Sequence, residues 1–256
     1  MAVNVERVGR ITVITLDRPE KMNAFDRAQY AAVNEAVADY QADDAARVAI
    51  ITSSVEKAFS VGVDLQDLRQ AMAEERLGGD EIAKAFSLTI AGEEALTKPI
   101  IAAIPGYCVG EALGLALYCD LRVAADNAQF SLPEAKVGIT TVRGTIRLPQ
   151  IVGLGNALEL LFTGARKDAA WAERSGLVNA VVPFSQLMDK AMELAGQIAD
   201  ASPMAIQNMK KLAIKSFSIP FEEAIAMGME MRRNTPRAQL AEGASAFLEK
   251  RKPDFG

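Results

Sequence analysis

Two features of the segment Pro99–Ile139, PIIAAIPGYCVGEALGLALYCDLRVAADNAQFSLPEAKVGI, are suited to chemistry. The turn Gly106–Glu111 runs into the apolar stretch Ala112–Tyr118, which reads as a helix. Free backbone N–H groups then stand at a helix N-terminus, where a developing negative charge can be held. Downstream, Glu134 follows Pro133 in apolar surroundings. A carboxylate in such a place has a raised pKa and can act as both acid and base. An anion cradle beside one poised carboxylate is equipment for forming and quenching an enolate.

Absences narrow the chemistry. The 256 residues contain no histidine, which removes Ser-His-Asp and Cys-His nucleophiles, His-ligated zinc and imidazole bases. Proton transfer must use carboxylates, Lys, Tyr, Cys or water. No Asp/Glu loop spacing points to a metal site. The net charge is −5 with no basic run, so nucleic acid is not an expected partner. No apolar run approaches the ~18 residues required to cross a bilayer. The N-terminal MAVNVERVGR lacks the basic and long apolar regions of a signal peptide. The expectation is a soluble, cytoplasmic protein with no membrane partner. Cys108 and Cys119 sit in apolar segments without metal-like spacing and are expected to be core thiols.

The elements that must position these residues follow from pattern. At 50% hydrophobic and 24% charged, the chain can bury a large core as one domain or one domain with an appendage. Asn4–Val8 and Arg10–Leu16 alternate as a hairpin around Gly9. Asp17–Asn23 is turn-rich. Asp26–Tyr40 has helical spacing at Tyr30, Val33, Val37 and Tyr40, with Asp26 as N-cap. Val48–Thr52 is a buried strand leading into Phe59–Leu68. A charged, Gly-containing region, Glu74–Asp80, precedes a helix expected to run to about Leu96. Beyond the opening segment come helices at Asn156–Phe162 and Asp168–Ser175, a strand at Val178–Val182 and a long helix from Ser185 to about Asp200. Ala201-Ser202-Pro203 breaks the chain and starts a new helix. Met204–Lys215, Pro220–Arg233 and Pro236–Lys250 read as three further helices. The expected class is α/β, with a core over 1–195 and a helical region over 196–256.

Across nearly its full length the chain resembles the enoyl-CoA hydratase/isomerase (crotonase) family. The resemblance rests on ordered blocks: Asp17-Arg18-Pro19 with Asn23-Ala24, Ala58-Phe59-Ser60-Val61-Gly62-Val63-Asp64-Leu65, Ala102-Ala103-Ile104-Pro105-Gly106-Tyr107 and Cys119-Asp120. Pro133-Glu134 with Gly138, Leu161-Phe162-Thr163-Gly164, Ala172 with Gly176-Leu177-Val178, and Ala246 to Arg251 complete it. The resemblance implies a spiral of ββα units, with C-terminal helices at subunit contacts in a homotrimer or hexamer. It implies an acyl-CoA thioester as ligand, with coenzyme A as part of the substrate and no separate cofactor. It also implies an oxyanion hole made by the backbone N–H groups of Val63 and Glu111. Ala58, Ser60, Gly62, Asp64, Leu65, Gly110, Gly114 and Arg143 fall in the implied substrate-binding segments. Arg18, Lys21 and Arg27 are candidate neighbours of the CoA phosphates.

The departures from the family pattern are as informative. A hydratase of this family uses two glutamates and a water. The second aligns with Glu134; the first belongs three residues after the second oxyanion donor, where this chain has Gly114. Moving a double bond needs only one base, and the family's isomerases work with a lone glutamate at the Glu134 position. The expected chemistry is therefore isomerase-like, with Glu134 as shuttle; water addition with Glu111 as substitute acid, or a silent acyl-CoA-binding homologue, are the alternatives. Glu111 has two readings. Either it is a first-turn helix acid pointing away from the ligand, or its side chain enters the cavity and pairs with Arg143, so that its charge does not oppose the oxyanion. The segment ITTVRGTIRL, containing Arg143, stands where the family commonly has a Gly/Pro-rich turn.

Overall fold

A computed structural model describes residues 2–74, 79–88 and 96–255 of the chain. Among these, the order is β1 (Val3–Val8), β2 (Ile11–Leu16), α1 (Arg27–Ala42), β3 (Val48–Ser53), β4 (Ala58–Ser60), α2 (Leu65–Ala73) and α3 (Gly79–Ala85). Then come β5 (Ile100–Ile104), β6 (Tyr107–Val109), α4 (Glu111–Tyr118), β7 (Leu121–Ala125), β8 (Gln129–Ser131), α5 (Val142–Val152) and α6 (Leu154–Thr163). The chain ends with β9 (Lys167–Asp168), α7 (Ala169–Arg174), β10 (Ala180–Val182), α8 (Leu187–Ala199), α9 (Pro203–Lys215), α10 (Phe221–Arg233) and α11 (Arg237–Glu249).

From β3 to β8, successive strands alternate between two sheets. One has the order β1-β2-β3-β5-β7-β10 and the other β4-β6-β8-β9. Among the described residues only the β1–β2 and β8–β9 pairs are antiparallel. Each coil of the chain thus lays one strand on the large sheet and the next on the small one, the expected ββα spiral. Strands buried on both faces read as continuous apolar runs rather than alternations, and β3 and β5 (VAIITS, IIAAI) do so. The main core lies between the sheets and contains Leu16, Phe25, Tyr30, Ile51, Ile104 and Phe130. A second core covers the outer face of the large sheet, where Leu187, Ala191, Ala195 and Ala199 of α8 recur every fourth residue against Ile50, Ile101 and Val123. Small side chains at that spacing let the helix lie close to the strands.

Local signals set most boundaries. Asp26 caps α1 by accepting from Gln29 N–H, Asp168 caps α7 through Trp171 N–H, and Ser202 caps α9 through Ala205 N–H. Gly9 turns the β1–β2 hairpin at φ +62°. Three expectations change. The turn after β5 is not one turn into α4, because the short strand β6 intervenes. There Gly106 lies so near the Lys57 carbonyl that no side chain fits. The segment after Gly138 forms α5 from Val142 onward. The division expected at residue 195 falls inside α8, whose last turn still covers the sheet. Much of the helix expected up to Leu96 lies outside the described residues. Among the described residues, no helix is long and apolar enough to cross a membrane.

Candidate active site

The small sheet builds the site. Its parallel strands β4, β6 and β8 lie adjacent, so their carboxyl ends line up. Ligand sites of α/β proteins gather at such ends. Here β4 leads into Gly62-Val63, β6 into Gly110-Glu111, and β8 into Pro133-Glu134. All six residues line one cavity of about 970 Å³.

The first two turns pack together. Gly62 has φ +91° and Gly110 φ +62°, conformations that glycine adopts without strain. A Cβ on Gly62 would lie 2.8 Å from the Val109 carbonyl oxygen and 3.5 Å from Glu111 N. The neighbouring Phe25–Val63 bridge uses the Gly62 carbonyl and the Asp64 N–H, so the Val63 N–H stays outside it. Glu111 is the first residue of α4, where N–H groups lack intrahelical acceptors. Two main-chain donors on adjoining turns are suited to a developing oxyanion. Because both φ and space forbid a side chain, Gly62→Ala is expected to cost on the order of 2–3 kcal/mol. Gly9→Ala, at a similar φ but with no atom near its Cβ, should cost less. Chemical denaturation of the two variants measures the difference.

The two carboxylates flank the start of α4. Glu134 Oε1 lies 3.4 Å from where a Cβ on Gly110 would be, and its Oε2 is buried with no hydrogen-bond partner among the described residues. Burial raises the Glu134 pKa, against the opposing effects of its own backbone N–H and the Thr141 hydroxyl. Glu111 enters the cavity rather than turning away. Its Oε2 lies 3.3 Å from where a Cβ on Gly114 would be, so the glycine leaves room for the carboxylate. A mid-helix glycine costs about 1 kcal/mol relative to alanine; here it accommodates the Glu111 carboxylate. Arg143 on α5 donates through Nη1 to Glu111 Oε1 at 2.7 Å. Its Nη2 is anchored on Ser87 Oγ and the Leu88 carbonyl. The paired side chains are only 15% and 13% exposed. Burial pushes the Glu111 pKa up to about 7; Arg143 opposes this and Glu134 adds to it.

Removing the Arg143 charge should therefore raise the Glu111 pKa further. If turnover requires a proton on this pair, its alkaline limb lies near pH 7 in the parent protein. In Arg143→Met the limb should move up by about one pH unit or more, as read from kcat/KM against pH.

Leu65 and Arg143 join the cavity wall, but Ala58, Ser60, Asp64 and Gly114 stand behind it. Ser60 Oγ accepts from Gly62 N–H at 3.1 Å. Asp64 caps α2 through Gln66 and Asp67 and binds Arg18 at 3.0 Å. The candidate phosphate neighbours are not gathered at the cavity. Arg18 is held by Asp26 and Asp64, Arg27 by Asp67 and Glu74, and Lys21 donates to Gln66 at the surface. Asn23 is fully buried and ties this loop to Leu16, Ser53 and Phe59. Cys108 and Cys119 are buried free thiols. Met227, Met229 and Met231 of α10 do not line the cavity. Among the described residues no group of three carboxylates, thiols or imidazoles is placed to hold a metal ion.

Sequence reasoning did not assign Tyr30 or Thr141 to this site. Tyr30 fits the buried stripe of α1 equally well as core. Only the three-dimensional meeting of α1, α3 and α5 reveals its second neighbour, the cavity.

The enoyl-CoA hydratase/isomerase family model matches residues 6–256. A carnitinyl-CoA dehydratase of Escherichia coli is 39% identical over 98% of this chain and 97% of its own. A probable mitochondrial enoyl-CoA hydratase of Dictyostelium discoideum is 35% identical over 98% of this chain and 89% of its own. The crystal structure of an enoyl-CoA hydratase from Bacillus anthracis superimposes with a TM-score of 0.90 at 30% identity, covering 100% of this chain and 99% of that one.

Proposed function

We propose a reaction from the premise that this chain belongs to the enoyl-CoA hydratase/isomerase family: reversible addition of water to a 2-enoyl-CoA, carried out by Glu134 and Glu111. The observation that carries this reading is the Glu111 carboxylate lying over Gly114 in the same cavity as Glu134. It supplies a second acid from one helical turn earlier than the family position. Relatives named as a hydratase and a dehydratase support it.

In the dehydration direction, ionised Glu134 takes the proton from the α-carbon. The electron pair moves onto the thioester oxygen, held by Val63 and Glu111 N–H. As the enolate collapses, the β-carbon–oxygen bond breaks and protonated Glu111 gives its proton to the departing hydroxide, which leaves as water. Hydration is the reverse. Both directions need one proton on the carboxylate pair. The direction of both pKa shifts favours that state over two bare carboxylates. Arg143 lets Glu111 ionise without placing an unpaired charge beside the oxyanion.

Double-bond isomerisation is the second reading. It is favoured by Glu134 standing in the cavity wall with a raised pKa, since one base can shuttle a proton between two carbons. Parallel assays with 2-enoyl-CoA and 3-enoyl-CoA separate the two. Faster hydration of the former supports the dyad; a shift of the latter without any hydration overturns it. Subunit contacts through the C-terminal helices are part of the same proposal, supported by Leu240, Phe247 and Leu248 of α11, which are 60–83% exposed.

A further inference from the structure

Gly110, Gly114 and Tyr118 follow one another at four-residue spacing along α4 and its N-cap, and so share one face. The Gly114 N–H donates to the Gly110 carbonyl at 3.0 Å, which brings the cap onto the same stripe. What stands over each position differs. Glu134 Oε1 lies over Gly110 and Glu111 Oε2 over Gly114, at 3.4 and 3.3 Å from where a Cβ would be. The two glycines leave that face clear for the carboxylates. At the third position the chain supplies a phenol ring of its own, partly exposed and lining the cavity.

Helix α5 backs this face at two levels. Arg143 pairs with Glu111 at 2.7 Å. Arg147, one turn further along α5, sets its guanidinium 5.6 Å from the centre of the Tyr118 ring, an attraction that holds an aromatic ring in place. Arg147 is itself tied through Nη1 to Gln150 Oε1 at 2.7 Å. The Tyr118 ring is therefore a supported part of the wall.

This order has a consequence for a thioester whose oxygen sits at the start of α4. Its α-carbon falls beside Glu134 over Gly110, and its β-carbon beside Glu111 over Gly114. The next carbons of an extended chain then meet the third position. The turn from Gly114 to Tyr118 rises about 6 Å, and an extended chain advances about 1.2 Å per bond. The ring occupies part of that rise, which leaves about three carbons beyond the β-carbon. We propose that Tyr118 is a specificity residue that limits acyl-chain length, its ring stopping chains longer than about six carbons. The assignment rests on the acyl-CoA reading of the cavity but not on which reaction follows.

The test is calorimetric binding of saturated butyryl-, hexanoyl-, octanoyl- and decanoyl-CoA, which cannot be hydrated, to the parent protein, Tyr118→Ala and Tyr118→Phe. In the parent, decanoyl-CoA should bind roughly tenfold more weakly than hexanoyl-CoA. In Tyr118→Ala the affinity for decanoyl-CoA relative to butyryl-CoA should rise roughly tenfold. Tyr118→Phe should keep the parent's ratio, because the ring and not the hydroxyl is the obstacle. Tyr118→Leu carries the same comparison should the alanine variant fail to fold. Undiminished binding of decanoyl-CoA by the parent, or an unchanged ratio in the truncated variants, overturns the role of Tyr118 while leaving the acyl-CoA site standing. Failure of the parent protein to bind any of the four thioesters overturns both.

Discussion

Glu134→Gln should abolish turnover of both 2-enoyl-CoA and 3-enoyl-CoA, each by about 10³-fold, with little change in acyl-CoA affinity. Positioned acid–base groups contribute 10²–10⁴-fold, and Glu134 is the residue that both readings of the site use at the α-carbon. The substitution keeps the size of the side chain and removes its proton affinity. Among the described residues Glu134 Oε2 has no hydrogen-bond partner, and the amide keeps an acceptor oxygen for the Thr141 hydroxyl. The expected signature is a fall in kcat with an almost constant dissociation constant for a saturated acyl-CoA. Turnover of either substrate within tenfold of the parent would remove Glu134 from the chemistry.

Glu111→Gln should separate the two reactions. Hydration needs a second group to take the water proton or return it, so it should fall by about 10²–10³-fold. Isomerisation through Glu134 alone should fall far less, by under about tenfold. The amide can still accept from Arg143, which limits the damage of leaving a buried guanidinium without its carboxylate. The main-chain N–H of residue 111 remains, so oxyanion stabilisation is retained. Equal losses in both reactions would mean that the substitution disturbs the turn, not the proton transfer. Parallel kinetics on the two thioesters decide between these outcomes.

Much of the frame was legible in the chain because it rests on local chemistry. Asp26, Asp168 and Ser202 announce helix starts by side-chain type, and β3 and β5 show as apolar runs between breaks. The absence of histidine by itself confines proton transfer to few groups. The pairing of Glu111 with Arg143 was open, since it depends on two segments 32 residues apart. Its outcome is set by the helical course of α5, in a stretch that departs from the family pattern. Gly114 read as a lost catalytic position. In three dimensions it is the space into which a carboxylate from the previous turn extends. Tyr30 was hidden for a different reason: the residues around a buried ring come from α1, α3, α4 and α5, and periodicity along one helix cannot show which of its neighbours is a cavity.

The two-carboxylate account is tested most directly by turnover of 2-enoyl-CoA in ¹⁸O-labelled water, with mass analysis of the product. The account predicts a 3-hydroxyacyl-CoA carrying one labelled oxygen, formed at rates that collapse in both Glu134→Gln and Glu111→Gln. A parent protein that shifts the double bond of 3-enoyl-CoA, yet incorporates no label into either thioester, would contradict it.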